Sequence, residues 1–115
     1  MKILRILIVE SEMSLAMDLE MMIEKIASAT FVTEATVGAA KKVLHEAIDF
    51  AFLDVAATKG KTFEIAGILE LNHVPFVFLS SSPQDQLPVE LRSVPFILKP
   101  FYAAQIEWAL KAIAA

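Results

Sequence analysis

Four apolar residues run without interruption into a carboxylate at Phe50-Ala51-Phe52-Leu53-Asp54, and the following Val55-Ala56-Ala57-Thr58-Lys59-Gly60 breaks the pattern. A strand with one solvated face alternates, so a run apolar at successive positions predicts a strand covered on both faces, as in a parallel sheet flanked by helices. In open sheets of that kind the ligand crevice lies beyond the carboxyl ends of the strands. Asp54 is therefore expected at the mouth of a crevice. The rest of the chain is then a search for other strands that end in polar residues able to meet it.

Short apolar runs alternate with helical patterns along the chain. Residues 3–9 read as a strand. Leu15, Leu19, Met22 and Ile26 recur at helical spacing and predict an amphipathic helix over 12–29. Residues 31–37 read as a second strand, and Thr33, Glu34 and Thr36 make it polar enough for a sheet edge. Gly38 opens a second helix with Ala40, Val43, Leu44, Ala47 and Ile48 on one side. A third helix over 61–71, with Ile65, Ile68 and Leu69 inward, closes at Asn72-His73, and residues 75–79 form a fourth strand. Residues 84–92 hold Pro88, which removes a helix hydrogen bond and clashes with the preceding turn, so the fourth helix is short or irregular. Residues 95–98 form a fifth strand, and Ile106, Leu110 and Ile113 mark a last helix.

This alternation predicts an α/β fold: a doubly wound, five-stranded parallel sheet with helices on both faces. The 115 residues suit one domain with a real core, and residues 1–115 are read as that domain with no output domain attached. The hydrophobic fraction is 57%, but Arg5, Glu10, Asp18, Glu20 and Asp49 interrupt the apolar runs before any could span a membrane. Residues 1–9 resemble a signal peptide in their lysine and apolar stretch, yet an acidic, Met-rich segment follows where a small-residue cleavage site belongs. A cytoplasmic protein is expected. The absence of cysteine excludes disulfides, thiolate metal sites and cysteine nucleophiles, and a net charge of −4 with scattered Lys and Arg argues against a nucleic-acid surface.

The strand ends carry the functional signal. The first ends Val9-Glu10-Ser11-Glu12, the third at Asp54, the fourth at Leu79-Ser80 and the fifth at Leu98-Lys99-Pro100. Two carboxylates, a hydroxyl and an ammonium thus converge on one sheet edge. In Ile6-Leu7-Ile8-Val9-Glu10, Leu53-Asp54-Val55, Phe78-Leu79-Ser80 and Leu98-Lys99-Pro100-Phe101 the chain resembles, over essentially its whole length, the receiver domain of two-component response regulators. The resemblance implies the flavodoxin-like strand order 2-1-3-4-5, which flavodoxin and the chemotaxis receiver share.

It also implies chemistry. Asp54 would be the nucleophile that takes a phosphoryl group from a phosphohistidine on a sensor histidine kinase. Glu10, Asp54 and the backbone carbonyl of Ala56 would hold Mg²⁺, a hard cation that prefers oxygen ligands. That ion and the Lys99 ammonium would neutralise the transferring oxygens. Ser80 would bond the phosphoryl group and Phe96 would turn inward with it. The face of the fourth helix, fifth strand and last helix would then change shape for a downstream protein. Any enzymatic activity would be limited to self-phosphorylation and autodephosphorylation.

One departure stands out. Receivers carry a second acidic residue after the first strand, and here that position is Ser11, which takes a formal charge from the cation site and is expected to weaken Mg²⁺ binding. Ser11 could instead cap the first helix. Two outcomes stay open, a weakened but working site and one that is poorly phosphorylated. Lys59 and Lys61 read as solvated loop residues. Val74-Pro75-Phe76-Val77-Phe78 resembles an atypical receiver subgroup with Pro-Phe-x-Phe-Ala-Thr-Gly, although Leu79-Ser80-Ser81 replaces Ala-Thr-Gly; membership would imply a kinase of the HWE type.

Other residues have plainer readings. The peptide before Pro100 is expected to be fixed, with cis open to it. His45 and His73 have no partner at metal-ligand spacing and read as helix-face and turn residues. Met13, Met17, Met21 and Met22 read as adaptable packing, and Trp108 lies off the last helix's apolar stripe, half exposed. Two functions from different classes follow: a stand-alone phosphoryl-accepting switch or relay, or a phosphorylation-independent pseudo-receiver that binds a partner or forms a homodimer. A flavin or nucleotide site is disfavoured, because Glu10-Ser11-Glu12 is acidic where an anion needs donors.

Overall fold

The computed structural model describes residues 3–55, 62–81, 89 and 92–113. β1 (Leu4–Val9) and β3 (Phe50–Asp54) lie side by side in parallel, with Ile6 opposite Phe50 and Val9 opposite Leu53. β2 (Ala29–Glu34) pairs with the outer side of β1, β4 (Phe76–Ser80) with β3, and β5 (Phe96–Leu98) with β4. All pairings are parallel and the order is β2-β1-β3-β4-β5, so the polar second strand is an edge and Asp54 ends the central one.

The continuous apolar runs are explained by what covers them. Leu7, Val9, Ala51, Leu53 and Phe78 point to one face, against α2 (Val37–Lys41) and α3 (Phe63–Leu71). Ile6, Ile8, Phe50, Phe52, Val77 and Leu79 point to the other, against α1 (Met13–Glu24), α4 (Ala103–Trp108) and the π-helical turn Ala109–Ile113 that continues α4. Phe50 and Phe52 are wholly buried with ring centroids 5.0 Å apart, and each such side chain contributes about 1.5–3 kcal/mol by leaving water.

Several boundaries differ from the sequence reading. α1 ends at Glu24 rather than 29, and β2 begins at Ala29 rather than 31, because all six residues of β1 pair with residues 29–34 and the sheet claims that backbone. The second helix opens at Val37 because the Thr36 hydroxyl accepts the Ala39 N–H at 3.1 Å. It gives way after Lys41 to tighter turns, in which Val43 N–H bonds Ala40 O and Glu46 N–H bonds Val43 O. Those turns seat Val43, Leu44 and Ile48 against the core and leave Ala47 exposed. The irregular fourth helix expected over 84–92 lies outside the described residues except for Val89 and Arg92.

Asn72-His73 does close α3. His73 N–H bonds Glu70 O, Val74 N–H bonds Leu69 O, and His73 takes the left-handed conformation (φ 58°) that such a cap requires. His45 is exposed, as are Met13, Met17 and Met21, whereas Met22 packs against the core. Trp108 is half exposed as expected, and the Lys99-Pro100 peptide is cis. Among the described residues no helix is long and apolar enough to cross a membrane.

Candidate functional site

Register builds the site. Val9 is opposite Leu53, so Glu10 and Asp54, the next residues along, reach the carboxyl edge of the sheet together. Asp54 is opposite Leu79, which puts Ser80 one step further along β4, and Ser80 is opposite Leu98, the residue before Lys99. The Lys99 N–H donates to the Ser80 carbonyl at 2.7 Å, which ties the lysine backbone to the end of β4. Glu10, Asp54 and Ser80 are all buried, polar side chains at the rim of an otherwise apolar sheet.

The Lys99 ammonium closes the arrangement. Its Nζ lies 3.2 Å from Asp54 Oδ1 and 2.8 Å from Glu10 Oε1. Glu10 Oε1 has no hydrogen bond of ordinary angular geometry, so its contact with Lys99 is an ion pair, while Oε2 accepts the Glu12 N–H at 3.1 Å. Burial pulls the Lys99 pKa down, but the close contact with Glu10 and the charges of Asp54 and Glu10 outweigh it and hold the pKa above the usual 10.5. Among the described residues, two buried carboxylates face one ammonium.

Ser11 is not the helix cap. α1 has Glu12 at its N-cap, without a side-chain cap bond, and the Glu12 N–H donates to the Glu10 carboxylate. Ser11 sits partly buried in the bend between β1 and α1. Phe96, on β5, is partly buried and packs on the α2 and α3 side of the sheet. Ala56, Lys59 and Lys61 lie outside the described residues. The role of Glu10 in holding both the first turn of α1 and Lys99 was not visible in the sequence. Its only signal was an acid two residues ahead of a helix start, where carboxylates favour the helix dipole.

The donor chemistry suits a hard dication. Glu10 and Asp54 offer carboxylate oxygens and Ser11 a nearby hydroxyl, and Mg²⁺ is held by as few as one or two carboxylates because it keeps several waters. Among the described residues no group of three or more His, Cys, Asp or Glu side chains could hold a metal, the third acid being the one that Ser11 replaces.

Comparison with known proteins gives the following. No family model matches the chain. The sensory transduction protein LytT of Bacillus cereus is 28% identical over 113 residues, which cover 94% of this chain and 46% of that protein. The chain therefore spans about half the length of the curated relatives it matches. The solution structure of SdrG from Sphingomonas melonis Fr1 is 35% identical with a TM-score of 0.80, covering 97% of this chain and 98% of the other. The non-phosphorylated HemR receiver domain from Leptospira biflexa is 25% identical with a TM-score of 0.80, covering 97% and 94%.

Proposed function

The chain belongs to the response regulator receiver family, and from that premise we propose that Asp54 accepts a phosphoryl group from a phosphohistidine of a sensor histidine kinase. An Asp54 carboxylate oxygen attacks phosphorus, the P–N bond breaks as the O–P bond forms, and the histidine leaves with its electron pair and takes up a proton. Later attack by water on phosphorus returns the carboxylate and inorganic phosphate. The observation that carries this reading is the Lys99 ammonium held between two buried carboxylates, 3.2 Å from Asp54.

Each side chain has a part in it. Lys99 turns from the carboxylates to the incoming phosphoryl oxygens, where charge neutralisation is most of the catalysis. Ser80 donates a hydrogen bond to one of those oxygens, and Phe96 follows it inward. Glu10, Asp54 and the Ala56 carbonyl are the residues that would hold Mg²⁺. When bound, that ion supplies the positive charge that makes a dianionic group tolerable beside a cluster already negative. The face formed by the helix expected over 84–92, β5 and α4 carries the change to a downstream protein. Pro75-Phe76-Val77-Phe78 favours a kinase of the HWE type.

A second reading, an interaction module that works without phosphorylation, is favoured by Ser11 alone, since it leaves two acids at the site in place of three. Incubation with acetyl phosphate and Mg²⁺, followed by intact mass measurement, separates the two. We expect one added phosphoryl group, absent from Asp54→Asn. No added mass at high Mg²⁺, or the same mass in Asp54→Asn, overturns the first reading.

A further inference from the structure

At the opposite end of the sheet from Asp54, the starts of β4 and β5, the end of α3 and Ile113 of the last helix border a hollow of about 620 Å³ that is open to solvent. Its apolar walls are Val74, Pro75, Phe76, Val94, Pro95 and Ile113. All but Ile113 come from a Val-Pro-Phe triplet that the chain uses twice, at 74–76 and 94–96, leading into the neighbouring strands β4 and β5. Proline fixes the backbone and removes an N–H, so these walls are preformed and present no proline donor to water or ligand. The size lies within the usual range for small-molecule sites.

Two irregularities of the backbone meet there. His73 is the left-handed residue of the α3 cap, a conformation a glycine would adopt without strain, and Ile113 ends the π-helical turn. Among the described residues, the polar side chains on the walls are Glu70 and His73, and no Lys or Arg lines them. The carboxyl end of α3 lies at the hollow and adds partial negative charge.

We propose that this hollow is a binding site for a small amphiphilic cation, an aryl- or alkylammonium whose apolar body lies on the proline and Ile113 walls and whose charged head meets Glu70. It is distinct from the Asp54 site. The probe is phenethylammonium, with 2-phenylethanol as its neutral counterpart, titrated into the full chain and followed by amide and methyl NMR shifts without any phosphoryl donor. We expect saturable shifts centred on His73, Phe76 and Ile113, and binding of the ammonium weakened about two- to fivefold in Glu70→Gln, the size of one exposed charge contact. The alcohol's affinity should not change in that variant. Glu70 is exposed, so the substitution leaves the fold intact, which the unshifted remainder of the spectrum verifies. Shifts that do not saturate, that centre elsewhere, or that weaken equally for the alcohol in Glu70→Gln overturn the proposal.

Discussion

Replacing Lys99 by methionine tests the charge arrangement most directly. The two carboxylate oxygens that flank Nζ, at 2.8 and 3.2 Å, are no more than about 6 Å apart, and the Glu10 and Asp54 side chains are only 1% and 8% exposed. With the ammonium gone they repel by about 3 kcal/mol at an effective dielectric constant of about 20. Removal of one partner of a buried ion pair costs about 3–5 kcal/mol in general. Lys99 is itself 15% exposed and water can reach its place, so Lys99→Met should lose about 2–3 kcal/mol of folding stability at neutral pH. Glu10→Gln keeps the acceptor for the Glu12 N–H and removes one charge, so the double variant should recover most of the loss. Urea unfolding of the four chains at pH 7, with slopes compared, measures both. A loss under about 1 kcal/mol, or a double variant no more stable than Lys99→Met, would refute the electrostatic account.

Three further outcomes follow from the same geometry. Although burial opposes it, the contact with Glu10 and the two carboxylate charges raise the Lys99 pKa above 10.5, so the folded chain keeps a proton that the unfolded chain has lost; that contribution is complete below about 10.5 and fades as pH rises through the folded value, and the advantage of the wild type over Lys99→Met in urea should shrink as the pH rises above about 10.5. Ser11→Asp restores the third acid, and the Mg²⁺ concentration needed for half-maximal phosphorylation by acetyl phosphate should fall about tenfold. His73→Gly relieves a left-handed side-chain residue at the α3 cap and should stabilise the chain by about 0.5–1 kcal/mol in thermal or urea unfolding, whereas His73→Val should destabilise it.

What the sequence determined by itself was the identity of the strands and of the residues at their ends. An uninterrupted run such as Phe50-Ala51-Phe52-Leu53 is satisfied only between two helical layers, and with helical patterns between the runs the parallel order followed, taking Glu10, Asp54, Ser80 and Lys99 to one edge. Those are local patterns and survive in one dimension. What tertiary structure decided were the outcomes of competition between elements. Residues 25–29 carry helix-compatible residues, yet pairing with β1 took residue 29 into the sheet and α1 stopped early. Ser11 is a good helix cap by type, but α1 starts one residue later, with Glu12 at its N-cap and the Glu12 N–H held by the Glu10 carboxylate that β1 delivers. The pairing of Lys99 with Glu10 as well as Asp54 depends on side chains about 90 positions apart in the chain meeting across the sheet. Residue spacing encodes no such distance, because it is set by the register of four strands and by the helices that hold them.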